Sequence, residues 1–127
     1  MTRQVISTDR APGSPLYSQG VRVGSTVYVS GMVGIDVTTK QLAGDTIQEQ
    51  TRQALRNCEA VLEAGGGGLD DVAQVTVLIA DPADFDGMNE AYAEVFATEP
   101  PARAVARFGP EIRNVLVSVM MTAHVGD

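Results

Sequence analysis

The spacing of hydrophobic and polar residues changes along the chain and predicts an alternation of strands and helices. Alternating or continuous apolar residues bounded by Gly, Pro, Ser or Asp are typical of strands. These stretches are Gln4–Ser7, Tyr17–Val23, Thr26–Ser30 with a continuation over Met32–Val37, Asp70–Ala80, Ala102–Arg107 and Val115–His124. Gly24 and Ser25 separate two of them and predict a two-residue hairpin turn. Gly31 interrupts a strand, which predicts a bulge or a close approach of another group to the backbone.

Two other stretches have the period of amphipathic helices. The apolar side of the first comprises Ile47, Thr51, Ala54, Leu55, Cys58, Val61 and Leu62, and that of the second comprises Phe85, Met88, Ala91 or Tyr92, Val95 and Phe96. Asp45 followed by Gln48 predicts the start of the first helix, and the glycines at 65–68 predict its end, at least one of them in the left-handed conformation. Asp81 as cap and Pro82 in the first turn predict the start of the second.

The order of these elements predicts an α/β fold in which a mixed, mostly antiparallel sheet carries both helices on one face. A helix between two strands is typical of a crossover connection. A chain of 127 residues has the length of a single domain, which we expect to span residues 1–127. The uncovered sheet face should carry apolar residues, including the valines between residues 27 and 37. We therefore expect this face to be buried in an oligomer.

Charge and composition narrow the classes of partner. The net charge is −7, Lys40 is the only lysine and no basic run is present, which argues against nucleic acid as a partner. A single cysteine, Cys58, excludes an intrachain disulfide, and its place on the apolar side of a helix indicates a small buried hydrophobe. Met1–Ile6 lacks the apolar core of a signal peptide, and no run is long enough to cross a bilayer. We expect a cytoplasmic protein with no membrane association.

The strand after Pro100 and Pro101 contains the residue that most needs an explanation. Its alternation places Arg103, Val105 and Arg107 on one face and three alanines on the other. A guanidinium on a segment small enough to be buried is costly unless it meets an anion or several acceptors. Either an internal carboxylate pairs with Arg103 or a bound ligand does, whereas Arg107 fits a structural or interfacial pairing.

Five segments, in this order along nearly the whole chain, resemble those of one known family. They are Pro15–Leu16–Tyr17–Ser18–Gln19–Gly20, Val29–Ser30–Gly31, Glu49–Gln50–Thr51–Arg52–Gln53–Ala54–Leu55, Met88–Asn89–Glu90–Ala91–Tyr92 and Pro100–Pro101–Ala102–Arg103. Each alone is a weak motif, but together they resemble the reactive intermediate (imine) deaminase, or Rid (YjgF-like), family. The resemblance implies a chorismate-mutase-like fold and a homotrimer with three clefts between subunits. It also implies hydrolysis of small 2-imino acids or their enamines to 2-oxo acids and ammonia, without a metal or an organic cofactor.

The resemblance also implies which residues form the cleft. Arg103 would be the catalytic residue that holds the substrate carboxylate. The residues implied to contact the substrate are Tyr17, Ser30, Gly31, Asn89, Val105 (through its backbone) and Ser118.

The sequence departs from the family's pattern at three of these places. Leu16 replaces a proline, and Ala104 replaces a serine after the arginine. Ser118 lies where the best-characterised members carry a glutamate that is thought to handle the water. A serine can position water but cannot remove a proton at neutral pH. Two alternatives to the imine deaminase therefore stay open: a non-catalytic binder of small carboxylates and a deaminase of a different amine-bearing acid. Nuclease activity ranks below these, because the chain is acidic.

Overall fold

A computed structural model describes residues 2–126 as a six-stranded main sheet, a separate two-stranded sheet and two α-helices. Its strands are β1 (Arg3–Ile6), β2 (Gly20–Val23), β3 (Thr26–Val33), β4 (Ile35–Asp36), β5 (Gln41–Leu42), β6 (Val72–Ile79), β7 (Ala102–Arg107) and β8 (Val117–His124). The helices are α1 (Ile47–Ala64) and α2 (Phe85–Val95). The main sheet has the order β1-β2-β3-β8-β6-β7, and only the β6–β7 pair is parallel. The prediction of a mixed, mostly antiparallel sheet is therefore confirmed.

Both helices cover the same face of this sheet, as predicted. α1 packs along β3 and β8 and against α2. The core between the layers contains the inward-facing strand residues together with the apolar side of α1. Its fully buried members include Val27, Val75, Val77, Val117, Val119, Leu55, Val61 and Leu62. The helical period therefore identified the buried side of α1 correctly.

The start of each helix lies later in the chain than the sequence pattern predicted. Thr46, not Asp45, is the cap of α1: its side chain accepts a hydrogen bond from the Glu49 N–H, and the Glu49 carboxylate accepts one from the Thr46 N–H. The prediction of Asp45 with Gln48 was thus wrong by one residue. Asp81 caps a short 3₁₀ turn, Pro82–Asp84, and α2 begins only at Phe85. A 3₁₀ turn often precedes an α-helix, and sequence caps do not distinguish the two.

The predicted turn and bulge around β3 are both present. Gly24 has a φ of 59° in the two-residue connection between β2 and β3, a conformation that glycine adopts without strain. The pairing of β3 with β8 shifts register between Val29 and Met32, on either side of Gly31. The predicted continuation of the strand to residue 37 was wrong, because the chain leaves the main sheet after Val33 and Ile35–Asp36 pairs with β5 instead.

The open face of the sheet carries exposed apolar side chains, although they are not those of the residues first expected. Val27 and Val29 lie in the helix-covered core, so their assignment to the open face was wrong. The open face instead carries Val5, Tyr28 and Met120, whose side chains are 59%, 49% and 47% exposed. Three large apolar side chains on one sheet face are the kind of surface that oligomers bury.

Candidate functional site

Arg103 lies on β7, one of the two edge strands of the main sheet, and faces the helix side. Its Nη1 donates a hydrogen bond to the Asn89 side-chain oxygen at 2.8 Å and lies 4.0 Å from the Met88 sulfur. Its Cζ is 4.7 Å from the ring centroid of Tyr92 and 6.0 Å from that of Phe85. One amide and the rings of α2 therefore hold this guanidinium against the helix.

The positive charge of Arg103 is not neutralised within the part of the chain that the structure describes. Over residues 2–126, the ion pairs are Arg10–Glu63 and Arg52–Glu94, and neither involves Arg103. The Nε–Nη2 edge of its guanidinium donates no hydrogen bond to any of these residues. Among residues 2–126, the alternative of an internal carboxylate partner for Arg103 was therefore wrong. The expectation of burial was also wrong, because β7 is exposed in the single chain except at the half-buried Val105.

A second group of predicted site residues lies where β3 meets β8. The Ser30 N–H donates a hydrogen bond to the Gln19 carbonyl at 2.9 Å, and the Ser30 hydroxyl donates to the Ser18 carbonyl. A Cβ at Gly31 would lie 2.9 Å from the hydroxyl oxygen of Ser118, which is 8% exposed. The expectation that another group approaches the Gly31 backbone is thus confirmed, and the approaching group is Ser118.

Tyr17 lies on the loop that precedes β2, and the side chain of Gln19 organises that loop. The Gln19 amide group donates hydrogen bonds to the carbonyls of Thr8, Ala11 and Pro12, and its oxygen accepts one from the Thr8 N–H. Tyr17 is left 47% exposed, beside a cavity of about 390 Å³ that residues of this loop and of β1 line. The loop that carries Tyr17 is therefore tied to β3 through the hydrogen bond from the Ser30 N–H to the Gln19 carbonyl.

One chain does not bring the two groups of residues together. Between β3 and β7 lie β8 and β6, and three strand spacings amount to about 14 Å. The two groups also point to opposite sides of the sheet. Val117 and Val119 face the core, so Ser118 faces the open side, whereas Arg103 faces α2. A single cleft that contains Arg103, Asn89 and the residues around Ser118 requires two copies of the chain.

Two buried groups have raised pKa values for the same physical reason. Burial raises the pKa of the Cys58 thiol, which lies in the core and donates to the Val119 carbonyl at 3.3 Å. The prediction of a buried hydrophobe at Cys58 is confirmed. Burial also raises the pKa of Tyr92, and the neighbouring charge of Arg103 opposes this shift. Tyr92 is therefore a neutral phenol near neutral pH.

Sequence reasoning missed two residues that shape these groups, Tyr92 and Gln19. The helical period left Ala91 or Tyr92 as alternatives in the apolar stripe, and it gave no sign that Tyr92 contacts the arginine strand. Gln19 follows a loop rich in Gly, Pro and Ser, in which a polar residue is unremarkable.

Over residues 2–126, no three His, Cys, Asp or Glu side chains are grouped so that they could hold a metal ion. None of the helices in this range is both long and apolar enough to cross a bilayer.

Comparison with known proteins gives matches along almost the full length of the chain. The family model described as Endoribonuclease L-PSP matches residues 8–125. A RutC family protein of Saccharolobus solfataricus is 41% identical over 124 residues, which cover 96% of this chain and 98% of the relative. The 2-iminobutanoate/2-iminopropanoate deaminase of Mus musculus is 44% identical over 125 residues, which cover 98% and 93% of the two chains.

A solved structure shows the same fold. The crystal structure of E. coli TdcF with bound serine superposes with a TM-score of 0.89 at 31% identity and covers 97% of this chain and 99% of TdcF. The fold and these matches define a small α/β protein of the endoribonuclease L-PSP type. The chain belongs to the YjgF/Rid family, which confirms the resemblance seen in the sequence.

Proposed function

We propose that the protein is a deaminase that hydrolyses small 2-imino acids, or their enamine forms, to 2-oxo acids and ammonia. One observation carries the proposal: Arg103 is exposed, its charge is not neutralised within residues 2–126, and its Nε–Nη2 edge is free there to bind an anion. A guanidinium edge binds a carboxylate through two parallel hydrogen bonds, which fix the position and the plane of the ligand. Mammalian relatives with the name 2-iminobutanoate/2-iminopropanoate deaminase support this choice of substrate.

The proposed site lies between copies in a homotrimer of chorismate-mutase-like fold. Arg103 and Asn89 of one copy would face Tyr17, Ser30, Gly31 and Ser118 of the next, since these groups are separated within one chain. The outer side of β7 pairs with no strand of residues 2–126, so the backbone at Val105 could contact the imine nitrogen. The apolar open face of the sheet supports association of copies. In TdcF a small amino acid is bound, which fits a cleft for a short carboxylate.

The chemistry then requires a water molecule and a proton for the departing nitrogen. The hydroxyl of Ser118 can orient water beside the Gly31 backbone, but it does not act as a base at neutral pH. A positioned general acid or base contributes about 10²- to 10⁴-fold to a rate, so we expect a slower enzyme than one with a glutamate at this place. The proposed reaction uses neither a metal ion nor an organic cofactor.

A second function, non-catalytic binding of small carboxylates, is favoured by one observation. Ser118 is packed under Gly31 with only 8% of its surface exposed, and it supplies no titratable group to the cleft. Loss of the water-handling carboxylate would leave the carboxylate site intact. We do not propose ribonuclease activity, because a chain with a net charge of −7 repels phosphate backbones.

The test generates 2-iminobutanoate in situ with an amino-acid oxidase and traps it with semicarbazide. A deaminase competes with the trap and lowers the yield of semicarbazone. We expect wild type to lower the yield, Arg103→Ala to match buffer, and Ser118→Glu to exceed wild type. If wild type and Arg103→Ala both match buffer while Ser118→Glu gains activity, the protein is a binder. If Arg103→Ala is as active as wild type, the proposed role of Arg103 is wrong.

A further inference from the structure

Within residues 2–126, the side chains that contact the guanidinium of Arg103 are all neutral. Asn89 accepts from Nη1 at 2.8 Å, and the ring of Tyr92 lies 4.7 Å from Cζ. A carboxylate in place of either contact would pair with the guanidinium and remove the charge that a ligand needs. The amide and the ring instead hold the side chain and leave its charge in place.

Tyr92 is buried, but its hydroxyl makes no hydrogen bond among residues 2–126 that would account for a tyrosine at this position. The residue is 7% exposed, and its hydroxyl has no hydrogen-bond partner among residues 2–126. A buried hydroxyl without a partner costs free energy relative to phenylalanine. The contacts of Tyr92 to which we assign a role are therefore those of its ring. The ring centroid lies 4.9 Å from that of Phe96, with the two rings tilted by 44°, and 4.7 Å from the Cζ of Arg103.

We propose that Tyr92 is a positioning residue for Arg103 and that its ring, together with the Asn89 amide, aims the Nε–Nη2 edge at the carboxylate of the ligand. The quadrupole of the Tyr92 ring attracts the guanidinium above its face, and the single hydrogen bond to Asn89 sets the rotation of the guanidinium plane. Both residues lie on one face of α2, three positions apart, so the helix fixes them relative to each other. This inference rests on the proposed carboxylate site and adds the groups that orient it.

The experiment measures binding of 2-oxobutanoate by calorimetry and the KM and kcat for 2-iminobutanoate. In Tyr92→Leu, which removes the ring, we expect Kd and KM to rise about fivefold while kcat changes less than twofold. Tyr92→Phe keeps the ring and should bind as wild type. Phe96→Leu is the matched control: it removes a ring from the same helix face that contacts Tyr92, and it should leave Kd unchanged.

Asn89→Asp provides an independent variant if Tyr92→Leu does not fold. It keeps the shape of the side chain but places a carboxylate against Nη1, so Kd should rise about tenfold or more as the new ion pair competes with the ligand. Unchanged Kd in Asn89→Asp, or equal losses in Tyr92→Phe and Tyr92→Leu, would overturn the inference.

The outcomes separate this inference from the proposed function. If wild type binds 2-oxobutanoate and the ring dependence holds but no imine is hydrolysed, the inference stands and the deaminase proposal fails. If wild type is an active deaminase and Tyr92→Leu behaves as Phe96→Leu does, the inference alone fails. If wild type neither binds 2-oxobutanoate nor hydrolyses the imine, both fail.

Discussion

Replacing Arg103 by alanine should remove ligand binding while leaving the fold nearly unchanged. The free Nε–Nη2 edge can donate two hydrogen bonds to a carboxylate, and bonds to charged groups contribute about 1.5–3 kcal/mol net. We therefore expect Kd for 2-oxobutanoate to rise about tenfold to a hundredfold. The intrachain contacts that are lost are the hydrogen bond to Asn89, the contact with the Met88 sulfur and two ring contacts, all on an exposed edge strand. The free energy of unfolding should therefore fall by about 1 kcal/mol or less.

The control for this variant is Arg107→Ala. Arg107 lies on the same face of β7, four residues further along, and takes part in neither ion pair of residues 2–126. Arg107→Ala changes the net charge by the same amount as Arg103→Ala. A loss of affinity that is due only to the overall charge of the protein would therefore appear in both variants. Calorimetry at constant ionic strength should give a Kd close to wild type for Arg107→Ala. Equal losses in the two variants, or a Kd for Arg103→Ala within twofold of wild type, would refute a direct contact with the carboxylate.

Three further predictions concern the scaffold. Thr46→Ala removes the cap of α1 and should lower the free energy of unfolding by about 1 kcal/mol in urea titrations; no change would mean that the cap does not stabilise the helix. Gly34→Ala places a Cβ 2.5 Å from the Gln50 carbonyl oxygen and should cost about 1–3 kcal/mol, whereas Gly68→Ala, with no atom within 4 Å, should cost far less; equal costs would contradict the packing. The Cys58 thiol should resist an aqueous disulfide reagent in the native protein and react in urea. Because burial raises its pKa, the free energy of unfolding should fall as pH rises above the ordinary thiol pKa of 9.0, and rapid native labelling would contradict its burial.

Several elements of the fold were predictable because each of them has one dominant local signal. The period of α1, the two-residue turn at Gly24 and the bulge at Gly31 depend on neighbours in sequence, and all three are present. The error at the start of α1 arose because two neighbouring residues could each cap the helix. Asp45 and Thr46 are both good caps, and the choice between them depends on whether Glu49 can reach back to the backbone.

The surroundings of the site were less predictable because they depend on long-range packing. The alternation on β7 identified Arg103, but only the packing of α2 on β7 shows that an amide and a ring, not an acid, contact it. The exposure of β7 was also missed, since a segment of alanines and a valine resembles a buried strand. The position of Ser118 under Gly31 depends on how the β3 bulge meets β8, which no spacing within either strand encodes.

The most direct test of the account is complementation between two variants that each damage one side of the proposed cleft. Arg103→Ala removes the carboxylate contact, and Gly31→Val fills the space beside Ser118 on the other side. Each variant alone should fail to bind 2-oxobutanoate. If the protein forms the proposed homotrimer, refolding an equal mixture of the two variants gives mixed trimers. A site in them is intact only when both contributing copies supply the undamaged side, so about a quarter of the sites should bind. Recovery of about that fraction, measured as binding sites per chain, is the predicted result. No recovery in properly assembled mixed trimers, or full binding by a single-chain monomer, would contradict a site shared between copies.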